Sequence, residues 1–460
     1  MSTTDLEPEP YFVDPTVAGP SAPRSPDSSH GYDVVFWLAY LSNGLTTVAN
    51  AMMVCYSDFV TVLGGEERQL GFIVGVGMIG SIITRMVQGE LIDRYGAGRI
   101  WFWSTLLYCI SLALHLTLTT AYGPAIFLVR VFMQSSLAGI FGASITFVSI
   151  RVVPNRMAEI IGALGTSGFL GIMLGPALGD WLRSRGTAVA VDVAAVGTTV
   201  ATVGKTVASG GTSTGGTTGA DFVVRLFTTS CALAIGAMMA TWLAARQTAR
   251  PVHRRRPPLW RVIRRYQPLM LSCTAIAMGA GFSIPMTFLR PYAVATNLDG
   301  VATFFIVYAG TAFFARLASR SLFERYGNRP WIIAGLVLLT LSFSTYPLIS
   351  QKWHLIAPAT LAGVAHALLF PSVIAAGTSA FPRRYLGVAT SVMLAMFDVG
   401  TFIGAPVVGT FIRSAKAQHA AAYPQMFGAT AVVLAAITLV YCVTSRPREP
   451  GAAGQRAARR

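Results

Sequence analysis

The chain has 460 residues, of which 53% are hydrophobic and only 12% are charged, and its mean hydropathy is +0.57. A soluble domain carries about 25% charged residues, so this chain has too few charges to cover a water-exposed globule and indicates a membrane protein. Its net charge of +16 would suit nucleic-acid binding, but the distribution of the arginines argues against that function.

The first 32 residues are rich in Pro, Ser and acids, and they lack the charged-then-apolar order of a cleavable signal. We predict a disordered tail for residues 1–32. Twelve apolar runs follow, each long enough to cross about 30 Å of hydrocarbon as a helix. The predicted spans are 34–63, 70–92, 100–120, 123–150, 159–183, 222–245, 266–290, 301–323, 331–350, 354–380, 386–412 and 423–444.

Lys and Arg are unevenly distributed over the connections between these spans. One set of alternating connections, taken with the carboxyl-terminal tail, holds 22 of them, and the opposite set holds 8. This asymmetry is the positive-inside pattern. It predicts that both termini are cytoplasmic, in a multi-pass protein of a bacterial-type cytoplasmic (inner) membrane, and it makes nucleic acid an unexpected partner.

Two long connections divide the chain. Residues 184–221 form a Gly/Thr-rich segment, predicted to be an external loop, to which we assign no chemistry. Residues 246–265 form a basic cytoplasmic linker between predicted six-helix bundles at 33–245 and 266–445, and residues 446–460 form a basic tail. The linker either contacts anionic lipid headgroups or serves as an orientation signal and hinge.

An internal repeat relates the two predicted bundles. A set of five residues at the end of the second span recurs 231 positions later at the end of the eighth span. Parallel repeats of this kind are typical of transporters, whose substrate site lies between the halves. The matching residues are Arg85, Asp93, Arg94, Tyr95 and Gly96 with Arg316, Glu324, Arg325, Tyr326 and Gly327.

Three motifs make the chain resemble the Major Facilitator Superfamily. GELIDRYGAGR (89–99) is similar to the loop motif that follows the second helix, with Gly98 at a usually basic position. GIMLGPALGD (171–180) resembles the fifth-helix motif of proton-coupled exporters, with Asp180 where a Gly is usual, and LVRVFMQSSLAG (128–139) resembles the fourth-helix arginine motif with altered spacing. The resemblance implies an all-α integral membrane fold in which two six-helix bundles rock around a central cavity.

Asp93 and Arg94 lie where the chain turns at the cytoplasmic end of the second span. The resemblance implies that the eleventh helix begins nearby, at about Leu386. A helix N-terminus carries about half a positive charge, so Asp93 can approach it and hold the two halves together at the cytoplasmic face. The alternative is that Asp93 and the arginines only anchor the loop in water.

Asp398 is the one acid deep in a predicted span, about 18 Å from the start of the eleventh. Charges at membrane depth are costly and therefore indicate function. A carboxyl group at this depth is a candidate proton carrier, since its neutral form is easier to bury. Arg85 lies at a comparable depth in the second span, which the resemblance places beside the eleventh. We expect an Arg85–Asp398 pair, which either breaks on protonation or is a permanent structural contact.

Polar residues within the spans are candidates for lining the cavity. Arg130, with Asp58 as its nearest potential acidic partner, either binds an anionic group, tunes a proton site or bonds to backbone carbonyls. The resemblance implies that spans 1, 4, 7 and 10 line the cavity, and each polar residue there can instead bond to a neighbouring helix. The candidate lining residues are Asn43, Asn50, Arg130, Gln134 and His366.

The fifth span has a face of small residues. Gly171, Gly175 and Gly179 recur at helical spacing and allow close contact with another helix, and Pro176 bends the helix. We predict either a sliding seam between the two halves or ordinary tight packing.

The sequence therefore predicts a secondary transporter, with proton-coupled export of a small organic compound as the preferred activity. Proton-coupled uptake of a sugar, an organic acid or an amino acid is the alternative, and a transport-inactive interaction scaffold is the alternative of another class. No cofactor, metal or enzymatic activity is expected, because the sequence has no nucleotide-binding or nucleophile motif. We expect a monomer whose partners are a small-molecule substrate, protons and lipid.

Overall fold

The computed structural model describes residues 32–152, 156–184, 216–246, 259–298, 300–382, 385–418 and 421–445. Twelve helices within these ranges are long and apolar enough to cross a membrane, and the described residues contain no strand. The predicted all-helical membrane fold is confirmed. Residues 1–31, 185–215, 247–258 and 446–460, which hold most of the predicted tails, loop and linker, lie outside the described residues.

We number the twelve spans in chain order. Span 1 is one continuous rod made of Val34–Ala51, a 3-10 turn at Met52–Cys55 and Tyr56–Val62. Asp33 caps it by accepting a hydrogen bond from the Phe36 amide at 2.8 Å. The helices of spans 2 to 12 are Glu67–Tyr95, Ala97–His115, Pro124–Ser149, Met157–Ser184, Gly216–Ala245, Leu269–Ala295, Ala302–Tyr326, Asn328–Thr345, Ile356–Ser379, Leu386–Ala417 and Ala422–Thr444.

Two helical segments extend into predicted connections. The helix of span 6 begins at Gly216, inside the predicted external loop, and a short helix, Leu259–Tyr266, lies inside the predicted linker. The linker helix buries Val262 against Phe381 and Ala389. Its apolar residues therefore pack on the ends of spans 10 and 11, which stabilises a helix too short to form alone.

Glycine ends both copies of the repeated turn. Gly96 follows span 2 with φ 88°, and Gly327 follows span 8 with φ 70°. Residues with a Cβ rarely adopt such angles. The repeat seen in the sequence is therefore a repeat of backbone geometry as well.

The two six-helix bundles meet mainly along spans 2 and 11 and along spans 5 and 8, and span 7 also contacts spans 1 and 2. We call the end of the molecule that holds Val34 and Thr444 the terminal face, and the opposite end, which holds Ser184 and Ala295, the distal face. Successive spans run in opposite directions between these faces.

Small residues bring spans 2 and 11 into close contact. A Cβ added to Gly71 would overlap the backbone carbonyl of Ala405, and one added to Gly75 would overlap the Pro406 ring. Gly409 packs in the same way against the backbone of Glu67. The seam between the bundles is therefore built by glycines of both spans.

The glycines of span 5 pack against span 1 of their own bundle and not against the other bundle. Gly171 lies against Thr47, and Gly175 lies against Ala51. Gly179 faces Cys55 in the same row. All three partners belong to span 1, so this glycine face packs within the amino-terminal bundle. Pro176 lies inside the same helix. In span 11, the repeat-related Gly400 and Gly404 likewise pack against span 7 of their own bundle, and Gly409 contacts span 2 of the other bundle.

The close contact at Gly71 predicts a difference between two glycine substitutions. Gly71→Ala should lower the melting temperature, because overpacking a tight contact costs about 1–3 kcal/mol. Gly162→Ala should leave it unchanged or raise it, because a Cβ at Gly162 meets nothing within 4 Å and Ala favours a helix by about 1 kcal/mol. Thermal unfolding of the two variants in detergent measures the difference, and equal melting temperatures would contradict the seam.

Candidate functional site

A charged pair joins the two bundles at the middle of the molecule. The Nε of Arg85 on span 2 lies 2.6 Å from Oδ2 of Asp398 on span 11. Asp398 is only 5% exposed. The expected contact between these residues is present, and it connects the bundles at a depth where a lone charge would be strongly destabilising.

A second donor to Asp398 was not found from the sequence. The Ser81 hydroxyl, one helical turn before Arg85, donates to the same Oδ2 at 2.5 Å. Serine is common in membrane helices, so only its position opposite the carboxylate distinguishes it. The two donors from span 2 converge on one oxygen, which makes the contact charge-assisted and directional.

Arg316 repeats Arg85 in the carboxyl-terminal bundle, but its surroundings differ. Its guanidinium carbon lies 5.7 Å from the centre of the Phe169 ring on span 5. Phe169 is the residue that the motif repeat aligns with Asp398. The two seams are therefore related by position but differ in charge.

Asp93 and Arg94 lie at the terminal face, in the last turn of span 2. Asp93 is half-buried and Arg94 is exposed. The Arg94 guanidinium lies 5.3 Å from the centre of the Tyr95 ring. Gly96 begins the next turn, as the motif requires.

Arg130 is buried among aromatic side chains and not beside an acid. It is 6% exposed, and its guanidinium carbon lies 4.4 Å from the centre of the Tyr56 ring. Its Nη1 contacts the sulfur of Met133 at 3.4 Å, and its Nε has no hydrogen-bond partner among the described residues. The pairing with Asp58 considered from the sequence is absent, because Asp58 contacts other arginines.

The remaining amide candidates lie on the same two spans as expected. Asn43 is buried, and its Oδ1 has no hydrogen-bond partner within the described part of the chain. Asn50 is half-buried. Gln134 is buried, and its Cγ lies beside Gly77 of span 2.

His366 on span 10 lies at the centre of an aromatic cluster. Its Nδ1 is hydrogen-bonded to the Tyr308 hydroxyl. Its ring centre is 4.8 Å from that of Phe282 and 6.0 Å from that of Phe169. Since Phe169 comes from the amino-terminal bundle, the cluster joins both halves.

An ion-pair network closes the distal face. Arg290 of span 7 lies 3.0 Å from Asp180 of span 5 and 3.3 Å from Asp58 of span 1. Arg183 contacts Asp58 at 2.7 Å. The two positive and two negative charges balance, which offsets the cost of burying Arg290.

Asp180 also accepts backbone hydrogen bonds from the other bundle. The amides of Val301 and Ala302, at the start of span 8, both donate to its Oδ2 at 2.8 Å. A helix N-terminus carries partial positive charge, so a carboxylate there is favourable. The residue that departs from the exporter motif thus links the two bundles.

Further contacts between the bundles lie at the same face. Glu67, at the start of span 2, accepts hydrogen bonds from Lys416 at 2.5 Å and from Tyr423 at 2.9 Å. Arg413 lies 3.5 Å from Glu66. Side-chain contacts therefore also join the two bundles at the distal ends of spans 2 and 11.

The family model described as Major Facilitator Superfamily matches residues 34–350 and 300–460. The chain belongs to the Major Facilitator Superfamily. A curated relative from Agrobacterium vitis, named "Putative tartrate transporter", is 26% identical over 153 residues, 33% of this chain. The matched segment spans only 34% of that relative.

Solved structures of the superfamily share this fold. The nucleoside transporter NupG matches with a TM-score of 0.67 at 12% identity, over 90% of this chain and 100% of that chain. A POT family transporter in complex with 5-aminolevulinic acid matches with a TM-score of 0.69 at 12% identity, over 90% and 95%. A bacterial homolog of the human lysosomal transporter Spinster, in an inward-facing conformation, matches at 0.67 and 14% identity, over 89% and 95%.

The distal network was not found from the sequence, although one signal for it was present. Asp58, Arg183 and Arg290 lie at three separate span ends, and only folding brings them together. Asp180 was visible as a departure from the exporter motif. The charged residue at a position where the motif has glycine was the signal that this position makes a different contact in this chain.

Removing Arg290 should favour opening of the distal face. Arg290→Gln leaves Asp58 and Asp180 without their shared cation, and breaking a buried pair costs about 3 kcal/mol or more. Spin labels at the exposed positions Tyr122 and Leu348 should then report longer distances between the bundles than in the parent protein. Arg68→Gln is the control and should leave the distances unchanged. Arg68 is an exposed arginine near the same face, and its guanidinium lies over the Phe72 ring. Identical distance distributions for Arg290→Gln and the parent would contradict the role of the network.

Proposed function

We propose that this protein is a proton-coupled secondary transporter that exports a small organic compound by alternating access. The observation that carries the proposal is the Arg85–Asp398 pair, a buried ionisable contact between the two bundles. A group that both carries a charge and joins the moving halves is suited to couple proton binding to their movement.

The proposed coupling follows from electrostatics. Ionised Asp398 attracts Arg85 strongly, because little water screens the pair. A proton on Asp398 removes the negative charge, so only a neutral hydrogen bond remains and the contact weakens. Spans 2 and 11 are then free to separate at this depth, and Arg85 becomes available to other partners. Proton binding and bundle movement are thereby linked.

The distal network defines the resting state in this proposal. Ion pairs through Arg290 and the helix contact of Asp180 hold the distal face closed. We take the distal face as external, from the charge asymmetry of the connections. Opening to the outside then requires these contacts to break. We propose that Asp93 holds the opposite face through the N-terminus of span 11 when the distal face is open.

The direction of transport rests on the fifth-span motif. Its resemblance to that of proton-coupled exporters supports exchange, in which the proton and the compound move in opposite directions. Uptake is the second candidate, and it is supported by the fold similarity to the E. coli fucose:proton symporter, with a TM-score of 0.57 at 16% identity over 91% of this chain and 100% of that chain.

Asp398→Asn should abolish coupling. In proteoliposomes with an imposed pH gradient, the parent should show proton flux that depends on the transported compound, and the sign of the flux relative to the compound distinguishes exchange from uptake. The variant retains hydrogen-bond acceptors but loses the titratable charge, so we expect at least a tenfold loss of coupled flux. Counterflow of the compound without a gradient should persist.

Asp221→Asn is the matched control, because Asp221 is an exposed acid at the distal end of span 6. Its coupled flux should equal that of the parent. Unimpaired coupling in Asp398→Asn would remove Asp398 from the mechanism. Absence of compound-dependent flux in the parent, with any compound of a broad panel, would favour the scaffold alternative.

The proposed orientation has its own test. Reporter tags placed after residue 445 and within 247–258 should both be inaccessible to a membrane-impermeant reagent in intact cells, because both connections carry the arginine excess. A tag at Tyr122, in a distal connection, should be accessible. Labelling of the first two tags on opposite sides would contradict the twelve-span topology.

A further inference from the structure

At its repeated arginine, Arg316, the seam between spans 5 and 8 has no acidic partner among the described residues, although Asp180 joins the same two spans at the distal face. Arg316 is exposed, and among the described residues it forms no ion pair. At the other seam, the equivalent Arg85 has Asp398 and Ser81 as partners. The repeat replaces these with Phe169 and Ala312. Within the described part of the chain, one of the two repeated arginines is thus paired with an acid and the other is not.

Aromatic side chains lie next to this unneutralised arginine. The His366 ring centre lies 5.6 Å from that of Phe370 and 5.8 Å from that of Tyr308, in addition to its contacts with Phe282 and Phe169. We call these five residues the aromatic cluster. His366 and Phe370 are half-buried, so part of the cluster is available for contact. Phe169 belongs to the cluster and also lies under the Arg316 guanidinium.

The two features together select a kind of ligand. A planar guanidinium binds a carboxylate with two parallel hydrogen bonds. Aromatic rings pack against the edge or face of another ring. A cationic ligand is disfavoured, because Arg316 and the buried Arg130 are both without an acid among the described residues.

We propose that Arg316 and the aromatic cluster bind a substrate in which a carboxylate is attached to an apolar ring. This inference rests on the proposed transport function and names its substrate class. The ligand supplies at the second seam the negative charge that Asp398 supplies at the first. It contacts span 5 of one bundle and spans 7, 8 and 10 of the other, so its binding draws the bundles together on that side.

Three probes separate the contributions of charge and ring. Benzoate has both features, acetate has only the carboxylate, and benzamide has only the ring. In thermal-shift titrations of the purified full-length protein at pH 7, benzoate should bind at least tenfold more tightly than acetate or benzamide. Equal affinities for benzoate and benzamide, or no binding of benzoate, would overturn the proposal.

Two variants test Arg316 directly. Arg316→Gln should weaken benzoate binding at least tenfold and leave benzamide binding unchanged, since a hydrogen bond to a charged group is lost. Arg316→Lys keeps the charge without the planar fork and should have an intermediate affinity for benzoate. Arg68→Gln is the matched control, because Arg68 also lies 5.7 Å from a phenylalanine ring but near the distal face. It should bind benzoate as the parent does.

The melting temperature without ligand shows whether each variant is folded. If Arg316→Gln is folded and retains the benzoate affinity of the parent, the assignment of the binding site to Arg316 is wrong. If benzoate binds as expected but no pH gradient drives its flux, the site stands and the proposed coupled transport fails. The two proposals are therefore distinguished by separate measurements.

Discussion

Asp398 and Arg85 form a charge pair that neither could form within its own bundle, and this contact is the constraint on which the arrangement depends. Each residue alone would place an unpaired charge among apolar helices. Together they bind span 2 to span 11 at the middle of the seam. The flanking glycines allow the backbones to come close enough for the pair to form. Tight packing and charge pairing are therefore two parts of the same contact.

The two copies of the internal repeat share their backbone geometry, but the residues around their arginines differ. Both copies end in a glycine with positive φ, and both present an arginine toward the opposite bundle. Among the described residues, only Arg85 meets an acid. Arg316 lies instead next to aromatic rings. A two-fold arrangement of helices thus supplies one contact between charged side chains and one position suited to a ligand.

The distal network shows how a departure from a motif acquires a structural role. Asp180 replaces a glycine, and its carboxylate lies within reach of Arg290 and of the first amides of span 8. Its location at a helix N-terminus parallels the contact expected of Asp93 at the other face. Together with the contact that we propose for Asp93, it would place one carboxylate at a helix start of the other bundle at each face.

The sequence alone determined the number of spans and the two-fold repeat, because hydrophobic length and motif spacing are local properties. The Arg85–Asp398 contact was expected from the cost of a buried charge together with the family resemblance, which placed spans 2 and 11 side by side. The sequence also placed Phe169 opposite Arg316 by alignment of the repeats. The bundle against which the fifth-span glycines pack, the aromatic surroundings of Arg130 and the meeting of Asp58, Asp180 and Arg290 were decided by the tertiary structure. These depend on the rotation of each helix about its axis and on residues that are far apart in the sequence, which periodicity does not specify. Small residues show that a helix face packs closely, but only the folded chain shows against which neighbour.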